Sequence, residues 1–358
     1  MNREFWKDRK ILITGHTGFK GSWLSLWLQA MGAKVVGYSL PPPTRPSLFE
    51  LARVSQGMTS VVGDVRDFDS LKSTIAQQEP EIIFHMAAQS VVSDSYENPV
   101  ETYSTNVMGT VNLLEAVRQL RRPRVVVNVT SDKCYENREW VWGYRENDAM
   151  GGHDPYSNSK GCSELVTASF RSSFFGSEDF NQHGVAVASV RAGNVIGGGD
   201  WTRDQLIPDI MRAFTESRPV LIRRPDAIRP WQFVLEALNG YLTVAERLLT
   251  HGSLHAEAWN FGPEDDDAKS VGWVAENIRR LWGDGARWEI DTARYPHEAH
   301  SLKLDISKSK RILGWTPRMR LDCALEWVVE WYRSYERKED VRQTTLSQIS
   351  RYEKFGAE

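Results

Sequence analysis

The chain has 358 residues, enough for about two domains and a sizeable apolar core. Its 41% apolar and 25% charged residues are ordinary for a globular protein, and a formal net charge of −3 gives no electrostatic reason to expect nucleic acid or an anionic membrane as partner. Three cysteines (Cys134, Cys162, Cys323) are too few and too scattered for a disulfide frame or a zinc site, so no metal is expected and a reducing compartment fits.

The N-terminus runs from charge straight into a strand, without the apolar core or cleavage site of a secretory signal. No stretch approaches the roughly 18 apolar residues that cross a bilayer, so a cytoplasmic protein is expected. In chain order, the candidate strands are Lys10–Thr14, Lys34–Ser39, Thr59–Gly63, Glu81–His85, Val125–Thr130 and Val185–Val190. Helical patterns lie between them at Gly21–Met31, Asp69–Gln78, Val100–Gln119 and Pro155–Phe174. This alternation predicts an α/β fold, a doubly wound parallel sheet of the Rossmann type with helices on both faces. The proline-rich Pro41–Ser47 reads as a loop closing the second strand.

After Arg191 the rhythm breaks. Gly197–Asp200 reads as a mobile loop, followed by a helix at Leu206–Thr215, a strand at Val220–Ile222 and a helix at Leu235–Thr250. Lys269–Leu281 and Asp305–Leu313 look helical, and Leu321–Arg337 is strongly amphipathic. The expectation is a dinucleotide-binding domain over 1–190, with return segments near 230–260, and a smaller mixed α/β substrate domain over 191–337. The charged tail, 338–358, reads either as a docked surface helix or as a frayed end. Of fourteen tryptophans, Trp23 and Trp27 sit at core-like helical spacing; Trp140, Trp142, Trp201 and Trp231 fall in loops, where ligand wall and ordinary packing both remain open.

Chemistry is concentrated at two places. Gly15-His16-Thr17-Gly18-Phe19-Lys20-Gly21 follows the first strand and opens an apolar helix. Glycines there let the backbone turn and approach a pyrophosphate, and the helix N-terminus offers free N–H groups and a positive dipole end. Gly15, His16, Thr17, Gly18 and Phe19 are the expected cofactor contacts, with Asp64 and Val65 at the adenine edge; Asp64 or Asp67 capping the next helix is the alternative. The second strand ends in Tyr38-Ser39-Leu40, without the acid that usually holds the ribose hydroxyls of NAD. No arginine sits there either, although Arg45 in the next loop could approach a 2′-phosphate; NAD is the expected cofactor.

The second place is Tyr156-Ser-Asn-Ser-Lys160, two groups four apart on one helix face. An ordinary tyrosine, with a pKa near ~10, is a poor base at neutral pH; a nearby ammonium lowers that value, and the lysine can also hold the nicotinamide ribose.

Taken together with Thr130-Ser131-Asp132, these residues resemble the extended short-chain dehydrogenase/reductase family. Further matching pieces are His85-Met86-Ala87-Ala88-Gln89, Asn106, Arg191-Ala-Gly-Asn194, the Arg229–Val234 segment and Leu313–Pro317. The resemblance implies nucleotide-sugar substrates and a hydride-transfer triad of Ser131, Tyr156 and Lys160. It implies Ala87, Ala88 and Asn106 beside NAD, and Gln89, Ser131, Asn194, Arg203, Arg229 and His300 beside the substrate, with His297 and Glu298 in the same loop. The Arg229 segment departs from the family pattern at Pro230 and Glu236. Self-association as a dimer or tetramer through Val100–Gln119 and Pro155–Phe174 is implied as well.

Ser131-Asp132-Lys133 bears on the reaction. In the family, an Asp here marks 4,6-dehydratases, usually followed by Glu. Once C4 is a ketone, the C5 proton becomes removable and the C6 hydroxyl is β to the carbonyl, so elimination needs a base and an acid. Asp132 fits the acid if burial keeps it protonated. Lys133 stands in the glutamate's place, either as a neutral base or as a charged group steadying the intermediate. With the Gly15–Leu28 start and the Ser131–Asn137 segment, the resemblance implies CDP-glucose as substrate and a product used in deoxysugar synthesis for surface polysaccharide (lipopolysaccharide O-antigen).

Overall fold

Six strands follow one another as the alternation predicts: β1 (Lys10–Thr14), β2 (Lys34–Ser39), β3 (Thr59–Val62), β4 (Ile82–His85), β5 (Val125–Val129) and β6 (Ala186–Ala192). A seventh, β7 (Ala258–Phe261), returns to pair with β6, giving one parallel sheet in the order β7-β6-β5-β4-β1-β2-β3. This computed structural model describes residues 2–283, 285–293 and 301–355. The strands are buried on both faces because helices cover both, except the edge strand β3, whose residues are largely exposed. Along β1, Ile11 and Ile13 face one core while Leu12 faces the other, the period-2 signature of a pleated strand.

One layer holds α1 (Phe19–Ala30) and a later helix, α6 (Val234–His251). The other holds α2 (Phe68–Gln78), α3 (Gly109–Leu120) and α4 (Pro155–Phe174). The single helix expected at Val100–Gln119 is broken: Pro99–Tyr103 runs through a π turn at Ser104–Met108 into α3. Asp67 caps α2 by accepting from the Ser70 amide at 3.0 Å, which is the capping role left open for it.

Beyond β6 lie α5 (Leu206–Thr215), α7 (Val271–Trp282), α8 (Leu321–Glu336) and three two-stranded ribbons. The helix expected over Asp305–Leu313 is a π turn at Ser309–Leu313. Gly197–Asp200 is not the mobile loop expected: Trp23 Nε1 donates to the Gly198 carbonyl at 3.0 Å, and a Cβ on Gly198 would stand 2.0 Å from Trp331. The glycines are there because two tryptophans close over the backbone. The tail forms a docked helix, α9 (Val341–Lys354), lying on α1 and α8. Its Glu353 accepts from Trp27 Nε1 at 2.9 Å and pairs with Arg3.

Candidate active site

A cleft of about 540 Å³ opens at the carboxyl ends of β1 to β6, where the strand order reverses between β1 and β4. At one end is the glycine loop. Gly15 has φ +76°, and a Cβ there would lie 2.7 Å from the Ala87 amide nitrogen; one on Gly21 would lie 2.2 Å from the Gly15 carbonyl oxygen. Only glycine fits either place. Gly18 has room, and it faces the cleft with Gly15, Thr17 and Phe19. Thr14 Oγ1 accepts from the amides of Met86 and Ala87 at 3.0 and 3.2 Å, which fixes the next wall of the cleft, Ala87-Ala88-Gln89. An open glycine at a helix N-terminus, flanked by small residues, fits a dinucleotide pyrophosphate. Asp64 and Val65 line the far end, where Asp64 is forked to Arg66 at 2.6 Å, and that guanidinium holds its carboxyl below the usual range.

Two of the expected cofactor contacts turn their side chains away from the cleft. The His16 side chain is fully buried away from the cleft, its Nε2 bonded to Ser60 Oγ at 2.7 Å and its ring against Gly37. Burial lowers its pKa to about 4, so it stays neutral. Asn106 does not line the cleft either. It accepts from the Gln89 amide and donates to the Gln89 carbonyl, both at 2.9 Å, and donates to Ser159 Oγ at 2.8 Å. It therefore ties the loop after β4 to α4, and the π turn is what presents it.

At the chemical end, Ser131 leaves β5 and caps a short turn, Asp132–Cys134. Its hydroxyl donates to Asp132 Oδ1 at 3.0 Å and hydrogen-bonds the Tyr156 phenol. Pro155 at the first position of α4 and the Asp154 cap start that helix so that Tyr156 and Lys160 face the same turn. Lys160 Nζ donates to the Val129 carbonyl at 3.3 Å. Burial lowers the Lys160 pKa to about 7, and the neighbouring Lys20 adds to the shift. The Tyr156 phenol is pushed above its ordinary value by burial, with Ser131 pulling the other way and the nearby Asp132 and Asp154 adding to the rise, contrary to the lowering expected from the Lys160 spacing. Lys133 Nζ sits 5.9 Å from the centre of the Tyr156 ring.

Asp132 is 3% exposed, and burial raises its pKa against the pull of Lys133, Ser131 and Arg229. Its Oδ2 is buried with no protein hydrogen-bond partner. Behind this turn, Glu164 on α4 receives Arg191 at 2.9 Å, Ser189 at 2.6 Å and Thr130, a buried and fully satisfied ion pair that locks β5, β6 and α4 together.

Of the substrate candidates, Gln89, Ser131 and Asn194 line the cleft. Arg229 is buried but does not line it, lying close enough to Asp132 to lower the carboxyl pKa; its Nη1 donates to the Ile228 carbonyl at 2.9 Å. Arg203 is exposed and pairs with Asp94 at 3.5 Å. His297, Glu298 and His300 lie outside the described residues. Trp231 lines the cleft, whereas Trp201 packs edge-on to Tyr332 and Trp140 stacks on Tyr144. Spacing missed Lys20 and Asp200, both in the cleft wall, where burial lowers the Lys20 pKa and Asp132 and Asp200 oppose it. A single lysine in an otherwise apolar helix start was the available signal for Lys20.

The model of the GDP-mannose 4,6 dehydratase family matches residues 12–327. The chain belongs to that family. It is 58% identical over 352 residues to a CDP-glucose 4,6-dehydratase of Salmonella typhimurium (strain LT2), covering 98% of each chain. Among solved structures it is similar to dTDP-glucose 4,6-dehydratase of Bacillus anthracis in complex with NAD, with TM-score 0.75 and 22% identity over 93% of this chain and 99% of that one; this likeness shows the fold. It is also similar to MoeE5 in complex with UDP-glucose and NAD, at TM-score 0.75 and 25% identity, covering 91% and 99%.

Proposed function

We propose that the chain is an NAD-dependent CDP-glucose 4,6-dehydratase, forming CDP-4-keto-6-deoxyglucose and water. The observation that carries the dehydration is Asp132: a buried carboxyl held toward its protonated form, with one unpartnered oxygen, beside Tyr156 and Lys160. The 58% identity to a CDP-glucose enzyme supports the nucleotide.

Tyr156 takes the C4 hydroxyl proton, and Ser131 holds that oxygen in line. Lys160, its pKa lowered to about 7 by burial, binds the cofactor ribose. Bound NAD supplies the hydride acceptor at C4, the hydride donor at C6 and a positive charge that favours the phenolate. Lys133, whose Nζ lies over the Tyr156 ring, removes the C5 proton and returns it to C5 as C6 is reduced. Asp132 gives its proton to the departing C6 hydroxyl, and water leaves. Gly15, Thr17, Gly18 and Phe19 hold the pyrophosphate side, Asp64 and Val65 the adenine, and Ala87 and Ala88 the nicotinamide half; Gln89 and Asn194 contact the substrate.

Residues 1–190 with the 230–260 return then carry the cofactor, and 191–337 shape the sugar-nucleotide side. Tyr96, Val100, Met108, Leu165 and Phe174 are exposed apolar side chains on or next to the helices expected to pair, which supports a homodimer or homotetramer. No helix among the described residues is long and apolar enough to cross a membrane, in keeping with a cytoplasmic enzyme.

Incubation with CDP-glucose and NAD is expected to give a base-sensitive 4-keto chromophore. A chromophore only with dTDP-glucose or GDP-mannose would refute the CDP assignment. A C4 epimer as sole product would refute dehydration, and no turnover of any nucleotide sugar would leave a non-catalytic NAD-binding scaffold.

A further inference from the structure

The cofactor's 2′ position is where sites for NAD and NADP differ, because a carboxylate at the end of the second strand binds a ribose diol and repels a phosphate. Here β2 ends at Ser39, and the cleft wall continues through Leu40, Pro41 and Pro43. Ser39 is 8% exposed and Thr17 7%, and their hydroxyl oxygens are 2.9 Å apart. Thr17 also donates to the Leu40 carbonyl at 2.9 Å, so its one proton is used there. Ser39 must then donate to Thr17, which leaves its own lone pairs as the acceptor for a ribose hydroxyl.

The one carboxylate that β2, β3 and their following turns place on the cleft wall is Asp64. Arg66 already meets both of its oxygens, Nε at 3.0 and 2.9 Å and Nη2 at 2.6 Å, so this carboxylate is matched; the exposed Glu101 approaches the same guanidinium at 3.8 Å. Arg45, six residues past Ser39, is exposed and makes no ion pair among the described residues. The ribose end of the cleft thus offers no unmatched carboxylate, and the adjoining loop carries a cation that is unpaired among the described residues.

We propose that this site does not discriminate by charge at the 2′ position and binds NADP alongside NAD, Ser39 being the residue that leaves the choice open and Arg45 the cation that serves the extra phosphate. The inference rests on the reading of this cleft as the NAD site, and the two can fail separately.

Calorimetric titration of the nucleotide-stripped full chain with NAD and with NADP tests it. Affinities within about tenfold of each other are expected, since a neutral acceptor gives neither ligand a large Coulomb advantage. Binding of NAD with NADP about 100-fold weaker or absent overturns the inference while leaving the NAD site intact. Binding of neither overturns the cofactor reading itself. Ser39→Asp is expected to shift the preference toward NAD by about 100-fold. An unchanged ratio in a variant that still binds NAD removes Ser39 from the role. Arg45→Ala, at an exposed position, is expected to weaken NADP about fivefold and leave NAD unchanged. No loss of NADP affinity overturns the part given to Arg45.

Discussion

Replacing Lys160 by methionine should inactivate the protein and stabilise it. In the folded chain the lysine has a pKa of about 7, against 10.5 unperturbed, because burial disfavours its charge. The folded pKa is depressed, and for a lysine the unfolded state then binds more protons between those two values. Unfolding free energy from this group therefore rises with pH across the window from about 7 to 10.5. Below about pH 7 the penalty is complete, about 5 kcal/mol for a shift of about 3.5 units. It falls to about 4 kcal/mol at pH 7, about 2 at pH 9 and under about 0.5 at pH 10.5. Methionine has nearly the same length and no charge, and what it gives up is the bond from Nζ to the Val129 carbonyl, worth about 1 kcal/mol. Urea titrations of both nucleotide-free proteins at pH 7, 8 and 9 are the assay. The variant should be the more stable at pH 7, with the gap closing by about 2 kcal/mol by pH 9. A difference that does not change with pH would mean that Lys160 is not desolvated as described, and the argument would fall.

Asp132→Asn should slow loss of water by at least about a hundredfold while C4 oxidation continues, so that reduced cofactor absorbing near 340 nm accumulates in single turnover; equal slowing of both steps would speak against the acid role. Lys133→Met should stop exchange of the substrate's C5 hydrogen with deuterated solvent, and persistent exchange would assign the base elsewhere. Gly198→Ala should destabilise the chain by about 3 kcal/mol, because the new methyl group would meet Trp331 at 2.0 Å and that ring has no free space. A wild-type melting temperature in that variant would show the loop to be free to move.

The sheet and its helices were legible because every strand but the exposed edge strand β3 is an apolar run buried on both faces, and turns are marked by glycine, proline or a cap. The boundaries of β1, β2 and α4 fall where the apolar runs and the Asp154-Pro155 start place them. The break at Ser104–Met108 was not legible, since the one glycine beside it, Gly109, continues in helical conformation; the π turn answers to the hydrogen bonds Asn106 makes across to Gln89 and Ser159. The gathering of Ser131, Asp132, Tyr156 and Lys160 on one cleft wall followed from residue type and order. Side-chain direction was not: His16 lies inside the glycine motif and points beneath the sheet, and Arg203 lies beside the cleft and pairs with Asp94. The glycines at 197–199 were misread because composition does not distinguish a free backbone from one pressed by tryptophans about 130 to 175 residues away.

The clasp of α9 against α1 bears on how the chain is made. The helix that opens with the glycine loop is synthesised among the first thirty residues, yet Trp27 finds its acceptor only in Glu353. During translation the dinucleotide half emerges early, with its outer helix face bare and the strand that borders β6 still to come at Ala258–Phe261. A ribosome that stalls after about residue 190 would therefore hold a nascent sheet with an open edge and uncovered tryptophans, a natural client for a chaperone rather than a finished domain.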